Sequence, residues 1–277
     1  MIDLLGTSVD DAPITLTTLE FDVLWEHLEL GPMPLVVKVA SPGRTWTERA
    51  EIADTAWAGL LARGLGGPAR LDPRIPELLR VLARPDRDVD ARIWLNRSVR
   101  VLAAARGDEA VLAVLDGDQL TLRPVTPSGL PRAAVGVLPP CGPGFGHSVS
   151  VPSANLDAAA AACDGTPDGF ARALRERGVR AEDARALAAM VAEAGNRGQF
   201  GAAARDRLDR RRRTEWVVGF FDTPRGRYLQ IRRSLSGCGA WSTVCPTDQR
   251  RLTALVEEAL GEAEGDGSVP NPTGTVT

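Results

Sequence analysis

Apolar positions along the chain change their period twice. Phe21, Leu24, Trp25 and Leu28 recur at i, i+3, i+4 and i+7, the spacing of one helical face. Thr17-x-x-Glu20 just before them is a capping box, in which each side chain satisfies the other residue's free N–H at the helix start. Gly31-Pro32 stops the run, and Leu35-Val36-Val37-Lys38-Val39 reads as a short β-branched strand. A second box, Thr45-x-x-Glu48, opens a helix with Ala53, Ala56, Trp57, Leu60 and Leu61 turned inward and Gly64 at its end. Asp72-Pro73 starts a third, with Ile75, Leu78, Leu79 and Leu82 on one face and Pro85 beyond it.

After Pro85 the period drops to two. Val89, Ala91, Ile93 and Leu95 alternate with polar residues, as in a half-buried strand. Val99–Ala103 turns at Arg106-Gly107-Asp108 into Ala110–Leu115, and Asp116-Gly117 is a hairpin signal before Leu120–Arg123. This predicts an antiparallel meander. A short helix is expected within Gly129–Leu138, followed by a stiff crossover, Pro139-Pro140-Cys141-Gly142-Pro143-Gly144-Phe145-Gly146.

The plan then recurs. Val37-x-Val39-x-Ser41 matches Val149-x-Val151-x-Ser153. Helices follow over about 154–163, 168–177 and 182–194, the second with Phe170 and Leu174 inward and the third with Leu187, Met190 and Val191. Glu109–Asp116 lies over Glu215–Asp222, and Leu120–Arg123 over Leu229–Arg232, the difference absorbed by the longer turn Thr223-Pro224-Arg225-Gly226. Trp241–Cys245 adds a strand, and Thr247 starts a last helix with Leu252, Leu255, Val256 and Leu260 inward. The expectation is an α+β fold: a central antiparallel sheet flanked by helical bundles, with pseudo-twofold internal duplication. One domain is expected over 15–262, made of halves at about 15–138 and 147–262, with residues 1–14 and 263–277 as flexible tails.

Composition narrows the function by exclusion. The 277 residues carry a formal charge of −3, so no overall positive field draws the chain to nucleic acid or anionic lipid. Met1-Ile2-Asp3-Leu4-Leu5 is not a signal peptide, and no apolar run reaches the ~20 residues of a membrane span. A reduced, cytoplasmic protein is the expectation. Two histidines, His27 and His147, and four cysteines without C-x-x-C spacing argue against zinc. His27 is expected partly buried on its helix, His147 in solvent, and Cys163 in the core. Cys238 and Cys245 could meet across a hairpin, but a reducing compartment favours free thiols.

Candidate chemistry fails piece by piece. No G-x-S-x-G elbow is present. Gly142-Pro143-Gly144-Phe145-Gly146 lacks the Lys-Ser/Thr of a phosphate loop, and Pro143 removes a donor. Asp86, Asp88 and Asp90 have a cation-like rhythm but are interleaved with Arg87 and Arg92. Arg205–Arg213 holds six Arg against two Asp. It supports an alternative reading as a nucleic-acid-binding patch, against the plainer one of a solvated, Arg-tipped hairpin. No catalytic set, metal site or cofactor site emerges, so the chain is read as a non-enzyme whose apolar surfaces hold another protein.

Three segments carry a resemblance: Thr18–Leu28, then Arg197-Gly198-Gln199-Phe200-Gly201, then Phe221-Asp222-Thr223-Pro224-Arg225-Gly226-Arg227-Tyr228-Leu229. In these the chain, from about 15 to 262, resembles the EspG family of type VII (ESX) secretion. The resemblance implies a quasi-twofold fold with a central antiparallel sheet and helical bundles. It implies a cytosolic specificity chaperone that binds the hydrophobic tip of a helical secretion substrate, PE/PPE-like or related, keeps it soluble and delivers it to the secretion machinery. Contact is then expected on the central sheet and the C-terminal helical bundle, with Arg197, Gln199, Phe200, Leu229, Gln230 and Ile231 as partner-binding candidates. Where the family presses a long hairpin loop on its cargo, this chain has only the short Arg106-Gly107-Asp108 turn. The oligomeric state stays open, a dimer being one option.

Overall fold

The structure is a computed structural model and describes residues 12–235 and 239–265. Both capping boxes form as read. Strand β1 (Ile14–Thr17) runs straight into helix α1 (Thr18–His27), because Thr17 is at once the last strand residue and the N-cap. Its Oγ1 accepts from the Glu20 N–H at 3.1 Å, and Glu20 Oε2 accepts from the Thr17 N–H at 2.7 Å. The second box, Thr45 with Glu48, opens α2 (Trp46–Ala62). Helix α3 (Arg74–Ala83) buries Ile75, Leu78, Leu79 and Leu82, with the Asp72 carboxylate accepting from the Arg74 N–H at 3.0 Å.

Leu35–Val39 is not a strand. It is a turn and coil, and Val36 and Val37 are buried with Phe21, Leu24, Trp25 and Leu79. Pro34 has no N–H to give a ladder, and the sheet edge on that side belongs to β1. Ile14, expected in the flexible N-terminal tail, is a buried residue of β1. Leu61 points outward at 66% exposed.

The meander forms as β4 (Arg87–Trp94), β5 (Ser98–Arg106), β6 (Glu109–Asp116) and β7 (Gln119–Pro124), after a two-residue ribbon of β2 (Gly66–Gly67) and β3 (Arg70–Leu71). A short helix, α4 (Leu130–Val135), follows. The second half holds β8 (Val149–Pro152), then α5 (Ser153–Ala162), α6 (Pro167–Glu176) and α7 (Ala181–Val191). Its strands are β9 (Arg197–Arg205), β10 (Arg211–Arg213), β11 (Val218–Thr223), β12 (Gly226–Leu235) and β13 (Gly239–Pro246), and α8 (Gln249–Glu264) closes the fold. The expected strand at Glu215 begins only at Val218, because β10 and β11 are separate strands, both laid beside β9. Asp248, not Thr247, caps α8.

Apart from the β2–β3 ribbon, the strands pair antiparallel in one sheet of order β1-β7-β6-β5-β4-β9-β11-β12-β13-β8, with β10 on β9. Outward from the β4–β9 pair, the first half reads β4, β5, β6, β7, β1 and the second β9, β11, β12, β13, β8. Each half therefore sends the strand before its helices to the far edge. This topology sets the equivalences one strand away from the sequence matches. β1, not Val37–Val39, takes the place of β8, and β6 and β7 correspond in position to β12 and β13. Hairpin strands share the same alternation and turn spacing, so a similarity search loses little by slipping one strand.

Three buried clusters follow from the two sheet faces. Helices α4 and α8 cover one face, over Val89, Ala91, Val101, Phe200, Val218 and Leu229. On the other, α1–α3 cover Leu102, Val111 and Leu115, while α5–α7 cover Tyr228, Val244 and Val149. Between these two bundles no helix among the described residues lies above the middle of the second face.

The crossover is clamped to the β11–β12 hairpin. Arg227 donates its N–H to the Gly142 carbonyl at 2.8 Å and accepts from the Gly144 N–H at 3.0 Å. The Tyr228 hydroxyl accepts from the Phe145 N–H and donates to the Phe145 carbonyl, each at 3.1 Å. Gly144 lies flat on the Tyr228 ring, where a Cβ would come 2.1 Å from a ring carbon.

Candidate partner-binding groove

Side chains alternate across a strand, so the register decides which residues share the uncovered face. Arg100 lies opposite Arg92, Arg92 opposite Gln199, Gln199 opposite Gly219, and Gly219 opposite Gln230. The next row is Ser98, Trp94, Arg197, Phe221 and Tyr228. Of the six candidates, Arg197, Gln199 and Gln230 come together here. They line a cavity of about 810 Å³ walled by Val191 and Ala194. Phe200 (0% exposed) and Leu229 (2%) point the other way, beneath α8, and half-buried Ile231 packs on the same cluster.

The cavity is one part of a longer groove. Toward α5–α7 it opens, through shared Val191, Phe221 and Gln230, into a space of about 590 Å³ lined by Leu156, Ala160 and Phe170. Toward α1–α3 it meets, at Arg92 and Gln199, a space of about 480 Å³ beside the Pro32–Val36 loop. Leu35 stands on that loop 77% exposed.

Ion pairs built from the basic run close the second end. Arg211 bonds both oxygens of buried Asp88, at 2.9 and 3.1 Å from Nη2, and Arg213 pairs with Asp90. Gly201 makes the second pair possible, since a Cβ there would lie 2.1 Å from the Arg213 guanidinium. Burial pushes the Asp88 carboxyl above the ordinary range, and the charge of Arg211 counters only part of that rise. Within the hairpin, Arg205 pairs with Asp209 and Arg210 with Asp206. The run is thus an Arg-tipped hairpin, and four of its six arginines, Arg205, Arg210, Arg211 and Arg213, face a carboxylate in the hairpin or on β4, which offsets much of the charge that a nucleic-acid patch would need.

Of the remaining candidates, Cys163 lines the space beside α5–α7, while His27, His147, Asp86 and Cys245 lie away from the groove. His27 is exposed rather than half-buried, edge-on to Trp57 at 4.9 Å, because α1 ends there and the chain turns out to solvent. His147 is exposed, 3.7 Å from Asp183. Asp86 accepts from the Gly107 N–H at 2.8 Å. Cys163 is half-buried, Cys245 is buried with its thiol pushed up by burial, and Cys238 lies outside the described residues. Among the described residues no cluster of metal-ligating side chains and no membrane-spanning helix is present. Sequence reasoning missed Arg92, Trp94 and Arg100. The signal for the first two was there: positions alternating with Val89, Ala91 and Ile93 must face away from the core.

A model of the EspG family matches residues 17–258. The chain belongs to the EspG family. It is 25% identical over 266 residues to the ESX-1 secretion-associated protein EspG1 of Mycobacterium tuberculosis, covering 92% of this chain and 89% of that protein. Its fold is similar to that of the M. tuberculosis type VII secretion system chaperone EspG5, solved in complex with a PE25–PPE41 dimer. The TM-score is 0.72 at 18% identity, over 93% of this chain and 99% of that one. Within this EspG protein the three resembling segments do different jobs. Thr18–Leu28 holds α1, Phe221–Leu229 is the hairpin that clamps the crossover and puts Phe221 on the groove floor, and Arg197–Gly201 crosses the middle of that floor.

Proposed function

We propose that this EspG protein is a non-enzymatic cytoplasmic chaperone that seats the apolar tip of a helical type VII substrate, PE/PPE-like or related, and hands it to the secretion machinery. One observation carries the reading: the uncovered sheet floor runs without a break into the apolar space beside α5–α7. From Arg100 on β5 to Gln230 on β12 the floor crosses four strand intervals, ~19 Å. Two packed helices are ~20 Å wide, so the end of a helical hairpin fits that span. Arg197, Gln199 and Gln230 make the polar contacts, while Phe200 and Leu229, with Ile231 beside them, support the floor from below. Gly219, with no side chain, lets a partner approach the strand backbone. The two halves, about 15–138 and 147–262, act as one domain in which each bundle forms a wall of the groove.

Affinity capture with the tagged chain from its native host, followed by mass spectrometry, tests the reading. A secreted helical-hairpin protein is expected in stoichiometric amount. Ala160→Glu, an exposed position in the apolar space, is expected to abolish capture with an unchanged circular dichroism spectrum. Capture of no such protein by the parent chain would sink the proposal.

A further inference from the structure

Four arginines and no carboxylate line the central cavity: Arg92, Arg100, Arg197 and Arg232. Two of them face each other. Arg92 on β4 and Arg100 on β5 are register partners, and like charges directly opposite in an antiparallel pair destabilise it. Arg100 donates to the Lys38 carbonyl at 2.8 Å, and Arg197 lies over the Trp94 ring at 5.8 Å. Among the described residues Arg92, Arg100 and Arg197 pair with no carboxylate. Three of the groove's own acids are engaged elsewhere: Asp90, next but one to Arg92, is held by Arg213, Asp88 by Arg211, and Asp157 at the far rim by Arg232, while Glu193 stands in the space beside α5–α7 and outside the central cavity.

From this geometry we infer that the groove reads charge as well as apolar shape: its occupant is a helical-hairpin end carrying carboxylates on the flank that meets Arg92, Arg100 and Arg197, and apolar side chains on the flank that enters the space beside α5–α7. The inference rests on the chaperone reading above and adds the chemistry of the cargo. Two opposed, unpaired arginines on an uncovered floor are a standing cost in the free protein, and a bridging carboxylate converts that cost into charge-assisted hydrogen bonds. The apolar wall of Val191, Phe221 and Phe170 suits a folded protein end better than a nucleic-acid strand, because both rings are buried, at 8% and 7% exposed, and leave no open face for a base to stack on.

The probes are two synthetic helical hairpins with the same apolar tip, one with Glu and one with Gln at the positions flanking its loop. Titrated calorimetrically into the full chain at low salt, the Glu hairpin is expected to bind ~10-fold tighter than the Gln hairpin, the preference shrinking as salt rises. In the double variant Arg92→Gln, Arg100→Gln the preference is expected to vanish while the Gln hairpin keeps its affinity. Arg92→Gln alone is expected to raise the melting temperature of the free protein by ~1–2 °C. Equal binding of both hairpins by the parent chain overturns the inference and leaves the chaperone reading standing. Loss of the Gln hairpin as well in the double variant overturns it too, because the arginines then only hold the groove's shape. Binding of neither hairpin up to about 1 mM overturns both readings. A single-stranded oligonucleotide that binds through the same two arginines overturns the choice of partner.

Discussion

Arg227 is wholly buried and grips the Asp222 carboxylate twice, Nε to Oδ1 at 2.7 Å and Nη2 to Oδ2 at 3.0 Å. Nη2 also donates to the Pro139 carbonyl at 3.0 Å, and the guanidinium carbon lies 5.3 Å from the centre of the Phe220 ring. The pair thus binds the hairpin to the crossover that joins the halves. Asp222→Ala leaves that guanidinium buried with no counter-charge, and a loss of about 3–5 kcal/mol is expected in urea unfolding. A loss below about 1 kcal/mol would show that the crossover does not depend on the pair.

Gly226 is required twice over. Its φ of +122° suits only glycine, and a Cβ there would meet Pro143 and Gly144 backbone atoms at 2.7 Å. Backbone cannot move aside as a side-chain tip can, so Gly226→Ala is expected to cost about 2–4 kcal/mol. Gly201→Ala is the contrasting case: its obstacle is the flexible end of Arg213, and the pair it breaks is partly exposed. A change within about 1 kcal/mol is expected there. Paired denaturation curves compare the two.

Phe200 and Gln199 are sequence neighbours on opposite faces. Phe200→Ala is expected to cost about 3–5 kcal/mol by emptying the core under α8. Gln199→Ala should leave stability within about 0.5 kcal/mol and weaken capture of the secreted partner instead. The converse result would place the functional face on the wrong side of the sheet.

Asp88 gives a pH signature. Its carboxyl is raised in the folded state, chiefly by burial, so the folded protein binds a proton in the window above the unfolded value of about 3.9 where the unfolded chain does not. This group's contribution to stability therefore falls as pH rises through that window. Asp88→Asn, which cannot ionise, is expected to gain stability relative to the parent as pH climbs from about 3.5 toward neutral. A difference between the two that stays flat with pH would mean that Asp88 titrates normally.

Local chemistry made much of this fold legible. The capping boxes at Thr17 and Thr45, the stripe on α3 and the meander from Arg87 to Pro124 depend on neighbours within a few residues, and they form as read. The equivalence of the halves was legible only approximately, because one hairpin strand resembles the next. Leu35–Val39 misled because β-branching reports a preference for extended backbone and not the presence of a free sheet edge to pair with.

The candidate site divides along the same line. Resemblance singled out both Gln199 and Phe200, but which of them lies on the open face depends on which face α8 covers, and only the packed structure fixes that. Arg92 and Arg100 are eight residues apart in sequence, with nothing local to mark them as a pair. The register of β4 on β5 sets them face to face. Periodicity along the chain determined the elements and their apolar sides; the docking of α4 and α8 beneath the sheet, with the other bundles set apart above it, decided where a surface was left open, because burial of one face is a property of contacts distant in sequence.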